Sequence, residues 1–171
     1  IGGTASSSFK QPIIRLKSTG VVKFKDAPRY VTDKDGNHII VKGGMLCVYD
    51  NEDSEIESHE LVIGATLSKL EGEKVKSNEV VSKWDPFNVP IIAEVSGRIE
   101  FRDLIEGITL SREVRSSGIE ELTVMEHRED LHPQLVVIDD NGDILDHHPL
   151  PSGAHLMLVE DAQVDVGSVM A

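Results

Sequence analysis

The chain has 171 residues, 30 acidic and 17 basic, for a net charge of −13, a balance that repels a phosphate backbone and argues against a nucleic-acid reader. Hydrophobic residues make up 39% but aromatics only 4%, so the core has to be built from Val, Ile and Leu, as in small β-barrels and sandwiches. The single cysteine, Cys47, excludes an internal disulfide and fits a reducing compartment; with no apolar run long enough to span a bilayer and no signal pattern, a cytoplasmic location without membrane contact is expected.

Residues 1–12, with Gly2-Gly3 and Ser6-Ser7-Ser8, read as a flexible lead-in. Short strands are predicted over Ile13 to Leu16, Val21 to Phe24 and Tyr30 to Thr32, the last leading into a turn at Asp33-Lys34-Asp35-Gly36-Asn37. His38 to Val41 and Met45 to Tyr49 flank Lys42-Gly43-Gly44 and are predicted as a hairpin, because paired glycines supply the positive φ of tight turns. Cys47 falls in the second of these runs and is expected to be a buried structural thiol. Asp50 to Glu57 reads as an acidic loop and Glu60 to Ile63 as a return to strand.

Next comes Gly64-Ala65-Thr66-Leu67 through Glu71-Gly72, Val75 and Val80, short strands, one taken to include Lys69 and Leu70, wrapped by two turns. Trp84-Asp85-Pro86 through Pro90 breaks the pattern with two prolines and marks a domain boundary. A second unit opens with a predicted strand over Ile91 to Val95 and continues through Ile99 to Phe101 and Ile108 to Leu110. The segment near 113–132 fits a helix and a ragged hairpin equally. Leu135 to Ile138 then meets Ile144-Leu145 across Asp139-Asp140-Asn141-Gly142-Asp143, where Asn-Gly is a strong hairpin signal.

The two halves repeat each other. Gly64-Ala65 through Val81 recurs without a gap as Gly153-Ala154 through Met170, an offset of 89, and Gly20-Val21-Val22-Lys23-Phe24-Lys25-Asp26 returns as Gly97-Arg98-Ile99-Glu100-Phe101-Arg102-Asp103, an offset of 77. Two signatures in the same order identify a duplication in which the second copy carries about a dozen extra residues. The expected organisation is all-β: a lead-in over 1–12, one unit over 13–89 and one over 90–171 with its extra segment near 113–132. The start at Ile1 without methionine and the stop at Val169-Met170-Ala171 in strand-like sequence read as an excised piece of something larger.

Residues that could carry chemistry are sparse. Asp139 to Asp143 and Asp33 to Asn37 lack the offset acidic positions and closing Glu of a calcium loop, so hairpin turns are expected. His127 and His132, or Asp146-His147-His148, could offer metal ligands, but no spacing matches a zinc pattern. Cys47 and the serines show no nucleophile elbow or base partner, no phosphate-cradling loop is present, and Lys and Arg are dispersed rather than gathered with aromatics. The residues describe a non-enzymatic β module with no catalytic, cofactor or metal site of its own. A stand-alone protein-binding module or a biotinyl- or lipoyl-carrier-like barrel is the alternative; a carrier needs a lysine at a hairpin tip beside Met or small residues, and Lys69, Lys74 and Lys76 do not fit.

With Ile1-Gly2-Gly3-Thr4-Ala5-Ser6, Gly72-Glu73-Lys74-Val75, Val81-Ser82-Lys83-Trp84-Asp85-Pro86 and Pro90-Ile91-Ile92-Ala93-Glu94-Val95-Ser96-Gly97 in order, closing on Leu158-Val159-Glu160-Asp161 and Val169-Met170-Ala171, the chain resembles the lineage-specific insertion in the trigger loop of the β′ subunit of bacterial DNA-directed RNA polymerase. The resemblance implies two tandem sandwich-barrel hybrid motif units. It implies that Ile1, Gly2 and Gly3 are the trigger-loop junction, just after the loop's catalytic histidine, and that this histidine, the Mg²⁺ and its aspartates lie elsewhere in the nucleotidyltransferase. The implied partners are the β′ and β subunits and elongation or cleavage factors. The implied role is modulation of elongation, pausing and secondary-channel access. Residues 113 to 132 match no landmark of the family.

Overall fold

Short runs of Val, Ile and Leu punctuated by Gly, Asp and Asn favour strands too brief to stand alone, so they stack into two-layer units. The computed structural model describes residues 12–126 and 130–171 and is all-β, with no helix among those residues. The chain divides into two units at the Val89–Pro90 junction.

In the first unit the strands are β1 (Ile13–Arg15), β2 (Gly20–Lys25), β3 (Arg29–Thr32), β4 (His38–Lys42), β5 (Met45–Tyr49), β6 (Glu55–Glu60), β7 (Thr66–Leu67), β8 (Lys74–Val75) and β9 (Val80–Lys83). They form one sheet of order β1-β9-β7-β4-β3 and another of order β6-β5-β2-β8, all pairs antiparallel. Between them lies a core of Ile14, Leu16, Val22, Ile40, Leu46, Val48, Leu61, Leu67, Val75 and Val81, with Trp84 packed at its edge. Each such side chain contributes about 1.5–3 kcal/mol by leaving water.

The second unit has β10 (Gly97–Arg102), β11 (Leu110–Val114), β12 (Glu120–Val124), β13 (Gln134–Ile138), β14 (Ile144–Pro149), β15 (His155–Leu156) and β16 (Gln163–Val164), in sheets of order β14-β13-β10-β16 and β11-β12-β15. Its core repeats the first position by position: Val22 is matched by Ile99, Leu46 by Leu135, Val48 by Val137, Leu61 by Leu150, Leu67 by Leu156 and Val75 by Val164. Backbone detail repeats too. Ile40 N–H donates to the Ala65 carbonyl and its own carbonyl accepts from Gly64, while Val124 does the same with Ala154 and Gly153, which identifies Val124 as the counterpart of Ile40. Gly64 and Gly153 share φ of 87° and 88°. Gly20 and Gly97 are both glycine for want of room: a Cβ would lie 2.2 Å from the Tyr49 carbonyl oxygen in one and 2.6 Å from the Ile138 carbonyl oxygen in the other.

The offset between copies is 77 at Phe24/Phe101, 84 at Ile40/Val124 and 89 at Leu46/Leu135. The additional residues therefore enter on both sides of Val124, in the 103–109 loop and the longer β11–β12 hairpin before it, and in the 125–133 connection after it. Thr109, fully buried, organises the first loop: its Oγ1 donates to the Asp103 carbonyl at 2.6 Å and accepts from Ile105 N–H at 2.7 Å.

Several strand expectations change. β4 and β5 lie in different sheets, so Lys42-Gly43-Gly44 is a crossover and not a hairpin turn. Neither glycine has positive φ; Gly44 is required because a Cβ would come within 2.7 Å of Pro28 Cδ and 2.9 Å of the Lys25 carbonyl oxygen. The acidic loop ends early, since Glu55 to Glu60 pair with β5 as strand β6, leaving the turn at Asp50 to Ser54. The expected strand over Glu60 to Ile63 stops at Glu60, where Leu61 turns into the core and donates its N–H to Gly44. Ile91 to Val95 is not a ladder: only Ile92 bridges, to Val169. Lys69 and Leu70 lie outside any strand, in the turn after β7, and the last strand of the 108–110 run begins at Leu110. The 113–132 segment resolves in its first part as the β11–β12 hairpin rather than a helix. The two Asp-rich turns are hairpin turns, joining β3 to β4 and β13 to β14.

Candidate functional site

Ile1, Gly2 and Gly3 fall outside the described residues, as does His127. His132 donates its backbone N–H to Asp103 Oδ2 at 3.0 Å. On β14, His148 Nε2 stands 3.2 Å from Asp146 Oδ2; the contact has ion-pair distance without hydrogen-bond alignment. Among the described residues no group of three or more His, Cys, Asp or Glu is placed to hold a metal ion. The Asp33 carboxylate accepts from the N–H groups of Asn37 and Asp35, and Asp139 from those of Asp143 and Asn141, so each carboxylate is occupied in closing its own turn. Asn37 above all, overcoming the opposing effect of burial, holds the Asp33 carboxyl below its usual range.

Cys47 is completely buried on β5, and burial first, then its neighbour Glu55, pushes its thiol up to about 11. It therefore stays protonated and unreactive near neutrality. Glu57 on β6 is a structural clamp. Burial alone would raise its pKa, but the hydrogen bond to His59 and the backbone N–H groups of Lys17 and Ser18 outweigh that and hold it below the usual value.

The described surface does gather one set of cations. After β7 the chain makes a turn closed by Glu73, whose Oε2 accepts the Leu70 N–H, then runs through β8 into a second turn where Glu79 Oε2 accepts the Lys76 N–H at 2.9 Å. Val75 is buried, so Lys74 and Lys76 on either side of it face outward together. With Lys69, Ser77, Asn78 and Glu79 they line a groove of about 450 Å³. Ser77 and Asn78 are anchored from beneath by the Lys17 carbonyl, the Thr19 hydroxyl and the Leu16 carbonyl. Arg15 joins the rim, its Nη1 donating to the Asn78 carbonyl at 2.9 Å. Lys69 is 3.6 Å from Glu79, whereas Lys74 and Lys76 have no ion-pair partner among the described residues. The expectation was that Lys and Arg are dispersed rather than gathered with aromatics; these cations do gather, and no aromatic lines the groove. The legible signal was Lys74-Val75-Lys76 beside a turn; the missed one was that Lys69 and Arg15 fold onto it. Lys34 does occupy a hairpin tip, between Asp33 and Asp35 and without the methionine a carrier site needs.

No family model matches the chain. Among curated proteins it is 41% identical over 175 aligned residues to DNA-directed RNA polymerase subunit β′ of Methylacidiphilum infernorum, 35% over 173 to that of Opitutus terrae and 34% over 172 to that of Rhodopirellula baltica. Each match takes in the whole of this chain and 12% of the relative. The chain is homologous to a β′ segment.

Proposed function

We propose that this chain is a non-catalytic insertion in the trigger loop of a bacterial RNA polymerase β′ subunit, built from two sandwich-barrel hybrid motif units, and that it modulates DNA-templated RNA synthesis. The observation that carries the reading is the match of all 171 residues to a 12% segment of β′ subunits. The likeness of Ile1-Gly2-Gly3 to the residues after the trigger-loop histidine, and the folding of the remainder into two self-contained β units, support it.

A trigger loop closes over the incoming nucleoside triphosphate to align it for phosphoryl transfer and opens for translocation. An 18.8 kDa body in that lid moves with it. Any contact it makes better in one state biases the open–closed ratio by the difference, about 1.4 kcal/mol for each factor of ten. The chain itself supplies no reacting group: its part is to set nucleotide addition rate, pause lifetime and access of elongation or cleavage factors to the secondary channel, through contacts with neighbouring β′ and β surfaces. The test replaces residues 4–171 in the host polymerase with a short Gly-Ser linker. Retained synthesis with altered addition rate or pause lifetime is expected; unchanged kinetics would reject the lid-coupled role.

A further inference from the structure

The net charge of −13 is not shared between the units. Residues 1–89 carry 12 basic and 13 acidic side chains, whereas residues 90–171 carry 5 and 17, with every lysine of the chain in the first unit. In the second unit the described arginines are tied up: Arg98 with Asp161, Arg102 with Glu100, Arg112 with Glu106 and Glu120, Arg115 with Glu121. The duplication then supplies an internal control. At the positions equivalent to Lys69, Lys74 and Lys76 the second copy has Leu158, Gln163 and Asp165, and Ile92 stands where the first has Arg15. The same turns and the same buried Val75/Val164 position form without lysine, so the fold does not require the cations.

We propose that the groove between Lys69, Lys74 and Lys76 is a contact site for the phosphodiester backbone of a nucleic acid. Its lining is Lys, Ser77, Asn78 and Glu79, without an aliphatic or aromatic residue. A protein partner would be expected to meet an apolar or aromatic anchor at the centre of its contact, whereas phosphate oxygens need ammonium groups, which the lysines supply, with an amide donor such as that of Asn78 beside them. Of the nearby carboxylates, Glu73 accepts the Leu70 N–H, and Glu79 accepts the Lys76 N–H through one oxygen while the other stands 3.6 Å from Lys69, so Lys74 and Lys76 are the cations left open. The absence of an aromatic platform makes the contact independent of base sequence. Nothing in this inference depends on placement in a trigger loop.

The test uses the 171-residue chain and fluorescence anisotropy with a mixed-sequence DNA duplex of about 20 base pairs, titrated between about 20 and 150 mM salt, where each phosphate contact contributes about −0.9 to the slope of log K against log salt. A slope near −3 is expected, with at least tenfold weaker binding by the Lys74→Glu/Lys76→Glu variant and much less loss for Lys34→Glu/Lys42→Glu, which makes the same charge change elsewhere in the unit. All four lysines are exposed, and an unchanged unfolding midpoint confirms that the variants fold. Equal losses in the two variants, no binding at the lowest salt, or tighter binding of a poly-glutamate peptide than of the duplex would each overturn the proposal.

Discussion

Both carboxylate oxygens of Glu57 accept the backbone N–H of Lys17, at 3.0 and 3.1 Å, across 40 residues of sequence. The contact ties edge strand β6 to the segment that carries the chain from one sheet to the other. Because the folded protein holds this carboxyl below its ordinary value of 4.5, its stabilisation is present above that value and is lost as pH falls through the lower, folded-state value. Glu57→Gln is therefore expected to cost about 1–3 kcal/mol at neutral pH, from hydrogen bonds to a charged acceptor. The deficit should shrink on acidification as the wild type protonates, which urea unfolding at a series of pH values would show.

Leu16 and Val81 in the first core are matched by Ala93 and Met170 in the second, a small residue for a large one at the first position and the reverse at the second. The loss of volume at one position accompanies a gain at the other. Leu16→Ala alone should destabilise the first unit by about 2–5 kcal/mol through the cavity it leaves. Adding Val81→Met, which alone overpacks, should recover about 1 kcal/mol or more. A double-mutant cycle by thermal or denaturant unfolding reads the coupling; strict additivity would show that the two positions do not share a space.

Gly97 and Gly153 should fail differently when changed to alanine. At Gly153 nothing lies within 4 Å of a new Cβ, and the cost is the left-handed backbone at φ 88°, about 1–2 kcal/mol. At Gly97 the methyl meets the Ile138 carbonyl oxygen and Val137 Cγ1, both within 2.7 Å, so β10 must part from β13. Its loss should exceed that of Gly153→Ala, and amide exchange should quicken along β10 and β13.

Cys47, buried and with its thiol pushed up to about 11, should resist a thiol-directed reagent at about pH 8 in the native protein and react once the chain unfolds. Rapid labelling of the folded protein would contradict that reading.

The features legible in the sequence were those set within a few residues. Asp33 and Asp139 close their hairpins with bonds to N–H groups two and four positions on, chemistry that Asp-x-x-Gly turns announce. The Lys42-Gly43-Gly44 run offered the same local cue and meant something else. Whether a short glycine link closes a hairpin or crosses between sheets depends on which strands capture β4 and β5, and those partners, β7 and β2, lie 20 or more residues away. The cation groove was hidden for the same reason: Arg15 reaches Asn78 across 63 residues, and no window of sequence contains both. The duplication, by contrast, was visible because it is written as spacing.

Two copies of one unit have drifted in length by a dozen residues, yet β10, β13 and β14 keep the partners that β2, β5 and β6 have. The drift was absorbed in the 103–109 loop, the β11–β12 hairpin and the 125–133 connection, outside those ladders. Those connections are thus natural splice points, and length variation among β′ relatives should collect in them. A peptide tag threaded into the 103–109 turn would follow the same precedent, leaving the ladders on which both cores depend undisturbed.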